Sequence, residues 1–331
     1  MNALTAQKAS GRVRLSDLQP EPANFADDVA AGLSQPQKTI PPKFFYDAQG
    51  SRLFDAICET REYYPTRTES AILQQRAGEI SELVGTGVQL IEIGSGNSQK
   101  VRLLLDVLKP ASYMPLDISR EHLEQAADAM ARDYPWLEVH AVCVDYMQPT
   151  FALLPRSALR KLAFFPGSTI GNFEPHEALA FLRRLRRLVA PGGAVLIGVD
   201  LKKDAGILNR AYNDASGVTA RFNLNLLARI NCELDADFDL AQFEHDAFYN
   251  AAMGRVEMHL VSARVQNVRV RGERYAFECG ETIHTENSYK YSVAQFQVMG
   301  EAAGFNEVRT WTDADCLFSL HYLAGPEPEP E

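Results

Sequence analysis

Residues 90–100 read LIEIGSGNSQK. The apolar start, the glycine-rich middle and the helical pattern that follows predict a strand, a turn and a helix that begins at about Lys100. Gly94 and Gly96 allow the backbone to approach a ligand closely. The first amides of a helix direct unpaired N–H groups towards the same space. We therefore expect this turn to bind a cofactor.

Two classes of cofactor use a turn of this kind. Dinucleotides favour the pattern G-x-G-x-x-G, whereas the turn that binds S-adenosylmethionine usually follows an acidic residue. Here Gln99 stands at the third glycine position, and Glu92 lies two residues before Gly94. Both details favour S-adenosylmethionine. On this stretch alone, a dinucleotide site or a tight turn that binds nothing remains open.

The chain on both sides of the turn alternates between strand and helix patterns. Further strands are predicted at residues 113–117, 139–144, 161–165 and 194–199, with helices at 101–108, 122–134 and 178–189. This alternation predicts an α/β fold with a doubly wound, Rossmann-like parallel sheet and right-handed crossovers. The last two strand patterns, 307–313 and 316–323, predict an antiparallel hairpin, which is typical of methyltransferase sheets.

Four positions that suit a nucleoside ligand follow the predicted strands. Ligands of such sheets bind outside the carboxyl ends of the strands, where Gly94, Asp117, Asp145 and Gly167 fall. An acid at the position of Asp117 accepts hydrogen bonds from a ribose diol. Asp145 followed by Tyr146 suits adenine, because the carboxylate binds the exocyclic amine while the ring stacks.

Two other parts of the chain interrupt the alternation. Residues 203–292 contain a helical pattern at 208–234 and strand patterns at 257–265 and 268–275, which is too much chain for a loop. Together with the aromatic segment 16–67 they predict a second, α+β lobe that binds the substrate. The methyltransferase-type domain then takes residues 68–202 and 293–324, and residues 1–15 and 325–331 form flexible ends.

Composition narrows the class of protein. A net charge of −10 over 331 residues argues against nucleic-acid and anionic-membrane partners. The cysteines are odd in number, scattered and without a C-x-x-C pair, and no two histidines have the spacing of a metal site. No apolar run suggests a signal peptide or a membrane span. We expect a cytoplasmic monomer that acts on a small molecule and holds no metal.

Several longer motifs resemble those of one known family. They are EYYPT (62–66), EIGSGNSQK (92–100), PGSTIGN (166–172), KDAGILNRAYND (203–214), GVTARFN (217–223), ADFD (236–239), RVEMHL (255–260) and TENS (285–288). In this order they resemble the L-histidine Nα-methyltransferases of ergothioneine biosynthesis. The resemblance implies transfer of three methyl groups from S-adenosylmethionine to the α-amine of histidine, which yields hercynine.

The resemblance also implies roles for individual residues. Those that would bind S-adenosylmethionine are Gly94, Lys100, Asp117, Asp145 and Tyr146. Those that would bind histidine are Tyr63, Asn172 and Tyr212 at its amino and carboxyl groups, Glu286 and Ser288 at its imidazole, and Tyr46, Phe54, Gly167, Thr169 and Met258 along the pocket. The candidate catalytic residues are Tyr63, Tyr46 and Asn172, and the amine proton leaves to solvent or through a tyrosine hydroxyl.

The sequence departs from the family pattern at a few positions. Asn287 replaces a residue that is commonly apolar, and Asn97 and Gln99 replace small and acidic residues in the turn. These departures bear on substrate preference more than on the reaction. The alternatives are methylation of another amino acid or small amine such as tryptophan, a nicotinamide-dependent oxidoreductase and a binding protein without catalysis. Loss of the Glu286 and Ser288 pair would indicate a tryptophan-type substrate, and this chain keeps both residues.

Overall fold

The computed structural model describes residues 8–10, 13–18, 25–155 and 157–325. Within them the strands are β1 (Lys8–Ser10), β2 (Val13–Asp17), β3 (Lys38–Thr39), β4 (Gln89–Ile93), β5 (Ser112–Asp117), β6 (Glu138–Cys143), β7 (Lys161–Phe165), β8 (Ala194–Asp200), β9 (Phe243–Asn250), β10 (Arg255–Ser262), β11 (Gln266–Val270), β12 (Glu273–Phe277), β13 (Thr282–Tyr289), β14 (Glu307–Thr312) and β15 (Phe318–Ala324). The α-helices are α1 (Phe25–Leu33), α2 (Ala48–Cys58), α3 (Tyr64–Val84), α4 (Gln99–Leu108), α5 (Arg120–Asp133), α6 (Pro175–Val189), α7 (Ala205–Tyr212), α8 (Val218–Glu233) and α9 (Val293–Ala302). Short 3₁₀ turns lie at Pro42–Phe45, Pro149–Leu153, Thr169–Asn172 and Leu240–Gln242.

The chain divides into two compact units. The sheet unit takes Met1–Glu21, Pro65–Lys202 and Lys290–Glu331, and the second unit takes Pro22–Tyr64 and Lys203–Tyr289. Compared with the predicted bounds, residues 16–21, 65–67 and 290–292 belong to the sheet unit. One reason is the buried ion pair between Lys290 and Asp200, whose Nζ and Oδ2 atoms lie 2.7 Å apart.

The sheet unit has the predicted architecture. Its strand order is β1-β2-β6-β5-β4-β7-β8-β15-β14, and the six strands from β2 to β8 in this order run parallel. β15 and β14 follow as the antiparallel hairpin. The prediction of a doubly wound sheet with a C-terminal hairpin is confirmed. Because chain order reverses at β4, the crevice for a ligand lies beyond the carboxyl ends of β4 and its neighbours.

The central strands are apolar because both of their faces are covered. All residues of β4 and of β8 are buried. A strand with helices on both sides has no solvent face, so it lacks the alternation of a half-exposed strand; in β4 even the polar residues Gln89 and Glu92 are buried. α6 is amphipathic and buries Phe181, Leu182 and Leu185, and the Glu174 and Glu177 side chains form a capping box at its start. These contacts fix the strand ends from which the site is built.

The predicted flexible end over residues 1–15 needs correction. β2 begins at Val13 and pairs in parallel with β6, with Val13 opposite Val139 and Leu15 opposite Ala141. β1 in turn pairs antiparallel with β2. Leu15 is buried, so its apolar side chain stabilises a strand in a segment that looked polar overall. Residues 1–7, 11–12 and the predicted flexible tail after residue 325 lie outside the described residues.

The second unit is built on a four-stranded sheet of order β3-β13-β10-β9, against which α7 and α8 pack, and α2 packs against α8. The single helix predicted at 208–234 is wrong, because Gly217 adopts φ +66° and separates α7 from α8. The single strand predicted at 268–275 is also wrong. Arg271 and Gly272 both have positive φ and turn the chain into the hairpin β11–β12.

None of the helices in the described part of the chain combines the length and the apolar character that a membrane crossing needs.

Two glycines provide a matched test of packing in the sheet unit. A Cβ at Gly193 would lie 2.2 Å from the Val189 carbonyl oxygen and 2.5 Å from that of Lys161, whereas a Cβ at Gly78 inside α3 meets nothing within 4 Å. Gly193→Ala should lower the free energy of unfolding by about 1–3 kcal/mol. Gly78→Ala should raise it by about 0.5–1 kcal/mol, since alanine favours the helix. Urea unfolding of both variants measures these changes. A change of the same sign in the free energy of unfolding of both variants would contradict the prediction.

Candidate active site

The glycine-rich turn joins β4 to α4 and is held by backbone hydrogen bonds. The amides of Gly94 and Ser95 both donate to the Leu116 carbonyl, at 2.8 and 3.0 Å. Gly94 and Gly96 have φ of +67° and +49°, a conformation that strains residues with a side chain. A side chain at Gly94 would also begin 3.9 Å from the ring of Tyr146. The turn therefore leaves open space above its backbone.

The predicted acids lie at the ends of the next two strands. Asp117 accepts from the amides of Gly96 and Ser119, each at 2.9 Å, and Asp145 accepts from the Met147 amide at 2.9 Å. Burial raises the pKa of Asp117, although the hydrogen bonds from Ser119 and Gly96 act in the opposite direction. Asp117 is thus fixed by the same turn that we expect to hold the cofactor.

Tyr146 provides an aromatic face beside these acids. Its ring centroid lies 5.7 Å from that of Phe181 and 5.8 Å from that of Phe165. Edge and tilted contacts of this kind hold a ring in one orientation. Burial raises the pKa of Tyr146, so its hydroxyl stays protonated at neutral pH.

Glu92 lies behind the turn and not on its open side. It is 1% exposed and accepts a hydrogen bond from the Tyr113 hydroxyl, which also lies 3.0 Å from Ser98 Oγ. Burial raises the pKa of Glu92 to about 8, against the opposing effect of the hydrogen bonds from Tyr113 and Ser98. At neutral pH this carboxyl group carries its proton, and through Tyr113 it is linked to Ser98 of the turn.

The pKa of Glu92 predicts how stability depends on pH. Between the unfolded value of 4.5 and the folded value of about 8, the folded state binds more protons than the unfolded state. The free energy of unfolding should therefore fall as pH rises through this window. Glu92→Gln should remove most of that slope, because glutamine does not titrate. Denaturant unfolding at pH 5, 6, 7 and 8 measures it, and equal slopes in both proteins would contradict the assignment.

Glu69 on α3 forms hydrogen bonds with two of the predicted site residues. It was not singled out from the sequence. Its Oε2 atom accepts from Lys100 Nζ at 2.6 Å and from the Gly167 amide at 2.9 Å, and the side chain is fully buried. Its nearness in sequence to the EYYPT motif was the available signal. Only the fold shows that this carboxylate lies between the cofactor turn and the turn after β7.

The turn after β7 carries three further predicted residues, Gly167, Thr169 and Asn172. Gly167 has φ +80°, Thr169 Oγ1 donates to the Pro166 carbonyl at 3.1 Å, and Asn172 ends the 3₁₀ turn. The Asp200 amide donates to Ser168 Oγ at 2.8 Å, which fixes the turn to the end of β8. These residues therefore share one rigid turn in the sheet unit.

The sheet unit fits S-adenosylmethionine. The open glycine turn accommodates the cofactor's close approach, the Asp117 and Asp145 carboxylates accept hydrogen bonds from hydroxyl and amine groups, and Tyr146 offers a ring. Ser95 Oγ is buried in the turn and makes no hydrogen bond with the described residues, as expected of a group that awaits a ligand. All of these features lie outside the carboxyl ends of β4, β5 and β6.

The second unit contains a cavity walled by aromatic residues. Its empty space is about 290 Å³, including the open mouth. The predicted residues Phe54, Tyr63, Tyr212, Met258 and Glu286 all line it. The structure thus brings together, within this unit, residues that lie more than 200 positions apart in the sequence.

Ser288 and Tyr46 each contact a residue that lines this cavity. The Tyr212 hydroxyl donates to Ser288 Oγ at 2.8 Å, and both side chains are buried. Tyr46 contacts the ring of Phe54 edge-on, with centroids 5.7 Å apart. Glu286 and Ser288 are two residues apart on β13, so they project from the same face of the strand.

Tyr63 is a buried titratable group of the cavity. Burial raises its pKa well above the usual value, and the neighbouring Tyr212, Cys58 and Glu286 act in the same direction. The phenol therefore stays neutral over the whole physiological range. It can donate or accept a hydrogen bond, but it does not serve as an ionised base.

Thr219 and Phe222 also line the cavity, and the sequence interpretation gave them no role. They lie three positions apart on α8, so they share one helix face. Thr219 Oγ1 is buried and has no hydrogen-bond partner among the described residues. Their signal was present in the GVTARFN motif, but only the fold of α8 onto the β10–β13 strands shows which of its residues face the cavity.

Glu257, His259 and His284 place atoms that could bind a metal within 4.8 Å of one another. The rings of His259 and His284 are stacked at 4.5 Å with planes only 13° apart, so their in-plane lone pairs run parallel instead of converging. Arg255 Nε also lies 2.8 Å from the Glu257 carboxylate and supplies a positive charge there. This geometry does not favour a cation.

Comparison with known proteins decides the family. The chain matches the histidine-specific, S-adenosylmethionine-dependent methyltransferases over residues 25–325. It belongs to this family. The resemblance of the sequence motifs is thereby confirmed, together with the class of reaction and its methyl donor, and the nicotinamide-dependent alternative is excluded.

The most similar relatives carry consistent names. The chain is 44% identical to the histidine N-alpha-methyltransferase of Mycolicibacterium smegmatis, over 88% of this chain and 92% of the relative. It is 42% identical to that of Mycobacterium tuberculosis, over 90% and 94%. It is 30% identical to ergothioneine biosynthesis protein 1 of Neurospora crassa, over 98% of this chain and 39% of that longer protein.

Proposed function

We propose that this enzyme transfers three methyl groups from S-adenosylmethionine to the α-amine of L-histidine and so forms hercynine, the first step of ergothioneine biosynthesis. The observation that carries the proposal is the cavity of the second unit. It combines aromatic walls with one carboxylate, that of Glu286, and with the hydrogen-bonded pair Tyr212 and Ser288.

In this proposal the sheet unit holds the methyl donor. Asp117 binds the ribose hydroxyls, Asp145 and Tyr146 bind the adenine, and Gly94 and Lys100 bind the methionine part. The donor supplies an electrophilic methyl group on a sulfonium centre. Glu69 holds the Lys100 ammonium in place, because their ion pair is buried on the Glu69 side.

The tyrosines of the cavity hold the amino acid. Tyr63 and Tyr212 contact its amino and carboxyl groups through their neutral hydroxyls; Tyr212 does so as an acceptor, because its proton is donated to Ser288 Oγ. The rate gain comes mainly from holding a neutral amine in one orientation without competing water. Because the pKa of Tyr63 is raised, its hydroxyl keeps its proton and does not act as the base, and the amine proton leaves to solvent.

Glu286 and Ser288 bind the imidazole in this proposal. A carboxylate that faces a ring N–H forms a charge-assisted hydrogen bond, which is stronger than a neutral one. A substrate without that group leaves the carboxylate desolvated and unpaired, and the enzyme disfavours it. The aromatic rings of Tyr46, Phe54 and Phe222 also attract a quaternary ammonium, so they tolerate each added methyl group.

The roles of Asn172, Gly167 and Thr169 towards histidine remain predictions. They lie on the turn after β7 in the sheet unit, where Asn172 is partly buried. Asn172→Ala should raise the KM for histidine if the amide binds the substrate. An unchanged KM would remove Asn172 from the set.

A methyl-transfer assay tests the proposed substrate. Purified enzyme is incubated with methyl-labelled S-adenosylmethionine and each of the twenty amino acids in turn, and the label is traced in the products. We expect label with histidine and little with the others. Label with tryptophan and none with histidine would support the alternative substrate class, and no label with any amino acid would reject both.

We also propose that the enzyme works as a cytoplasmic monomer without a metal ion. Sedimentation equilibrium and elemental analysis of the purified protein test the last two statements. A stable dimer or a stoichiometric metal would overturn them.

A further inference from the structure

Asn223 ends the GVTARFN motif and is fully buried on α8. It lies one and four positions after Phe222 and Thr219, which line the cavity. A buried amide is costly unless its donors and acceptor are bonded. The partners of Asn223 therefore indicate what this residue does.

Three strands supply those partners. Asn223 Nδ2 lies 2.9 Å from the His259 carbonyl oxygen on β10 and 2.9 Å from His245 Nδ1 on β9. Asn223 Oδ1 accepts from Thr285 Oγ1 on β13 at 2.8 Å. Both N–H groups and the carbonyl of one amide are thus used, each by a different strand.

Two of the three partners are next to a residue of the cavity. His259 follows Met258, and Thr285 precedes Glu286. Thr285 Oγ1 also lies 3.1 Å from the Met258 carbonyl oxygen, so the hydroxyl spans β10 and β13. A shift of β10 or β13 would move Met258 or Glu286 relative to α8.

His245 extends the same network to Tyr212. Because Asn223 donates to Nδ1, that nitrogen accepts and the proton lies on Nε2. His245 Nε2 then donates to the Tyr212 carbonyl at 2.9 Å. The single amide of Asn223 is therefore linked to the three elements that carry Tyr212, Met258 and Glu286.

We propose that Asn223 is the positioning residue that sets the specificity of the cavity, through His245, His259 and Thr285. It does not touch the substrate. It fixes the distance between the tyrosine that binds the amino-acid backbone and the carboxylate that binds the side chain. This inference rests on the proposed function, because the specificity in question is that for histidine.

The chemistry of the site requires an amide. Aspartate offers no donor, so it would face the His259 carbonyl with a second acceptor. Leucine has a similar size but would remove all three of the hydrogen bonds that Asn223 makes. Only asparagine has two donors and one acceptor at this reach from the helix.

Asn223→Ala tests the proposal, with Asn231→Ala as its matched control. Asn231 also lies on α8 and makes two hydrogen bonds, both with the Phe238 backbone at 2.8 Å, away from the cavity residues. We expect Asn223→Ala to raise the KM for histidine about ten- to a hundredfold, with the Kd of S-adenosylmethionine within about twofold. Asn231→Ala should lower stability but leave that KM within about twofold.

A second pair of variants keeps the test decisive if Asn223→Ala does not fold. His245→Gln retains an amide donor for the Tyr212 carbonyl, whereas His245→Phe retains none. We expect His245→Gln to keep a KM for histidine nearer the parent value than His245→Phe does. Equal KM values for these two variants, or a folded Asn223→Ala with unchanged KM, would overturn the proposal.

The parent enzyme separates this inference from the proposed function. If the parent does not methylate histidine, the proposed function fails before any variant is measured. If the parent methylates histidine and Asn223→Ala does so with the same KM, only the positioning role fails.

Discussion

Replacement of Glu286 by alanine should raise the KM for histidine by about a hundredfold and leave the Kd of S-adenosylmethionine nearly unchanged. The reason is that Glu286 is the carboxylate of the cavity in the second unit, whereas the cofactor turn belongs to the sheet unit. Hydrogen bonds with a charged partner contribute more than neutral ones, so their loss costs more. Steady-state kinetics for histidine and titration with S-adenosylmethionine measure the two effects separately.

Two further variants sharpen this test. Glu286→Gln keeps the size and one acceptor but loses the charge, so its KM should lie between those of the parent and the alanine variant. Glu273→Ala removes an exposed glutamate of β12 in the same unit and should change neither quantity. Equal damage to cofactor and histidine binding in Glu286→Ala would refute the imidazole role.

Replacement of Asp117 by alanine should weaken the binding of S-adenosylmethionine and leave the KM for histidine nearly unchanged. It removes both acceptors at the end of β5 and releases the Gly96 amide, which Asp117 holds at 2.9 Å. The Kd of S-adenosylmethionine should rise by about a hundredfold, because a ribose contact and the order of the turn are lost together. The KM for histidine, measured at saturating S-adenosylmethionine, should change little.

The control for Asp117 is Asp128→Ala, which removes an exposed aspartate from α5 in the same unit. Its affinity for S-adenosylmethionine should equal that of the parent. Asp117→Asn keeps one acceptor, so its Kd for S-adenosylmethionine should lie between those of the parent and of Asp117→Ala. Unchanged cofactor affinity in Asp117→Ala would remove the acid from the cofactor site.

The sheet could be predicted because local patterns determine it. A strand buried on both faces is mostly apolar, and β7 and β8 show apolar runs between clear helices, while β4 combines apolar residues with the buried Gln89 and Glu92. Two closely spaced glycines after such a strand, here Gly94 and Gly96, indicate a turn. Strands β1 and β2 escaped prediction because neither has an apolar run; β2 joins the sheet by pairing with β6, and β1 joins it by pairing with β2.

The second unit was harder to predict for a physical reason. β9 alternates buried and exposed positions only weakly, and β13 contains the polar sequence of the TENS motif. Its buried polar residues are stable because partners from distant segments satisfy them. Asn223 and Thr285 are 62 positions apart, for example, and their bond cannot be deduced from spacing.

The same limit applies to Glu69 in the sheet unit. Its partner Lys100 lies 31 positions away and Gly167 lies 98 positions away, on different elements. A glutamate in a helical pattern usually faces water, so the helical pattern alone predicts an exposed position for Glu69. Family motifs predicted the candidate ligand-binding residues, whereas the residues that hold these candidates in place emerged only from the fold.

The most direct test of the account is the identity of the product. Enzyme, L-histidine and S-adenosylmethionine with a deuterated methyl group are incubated to completion, and the product is analysed by mass spectrometry and NMR. The account predicts histidine with three labelled methyl groups, all on the α-nitrogen. Labelled methyl groups on the imidazole ring, or no labelled histidine under conditions in which S-adenosylmethionine binds, would contradict it.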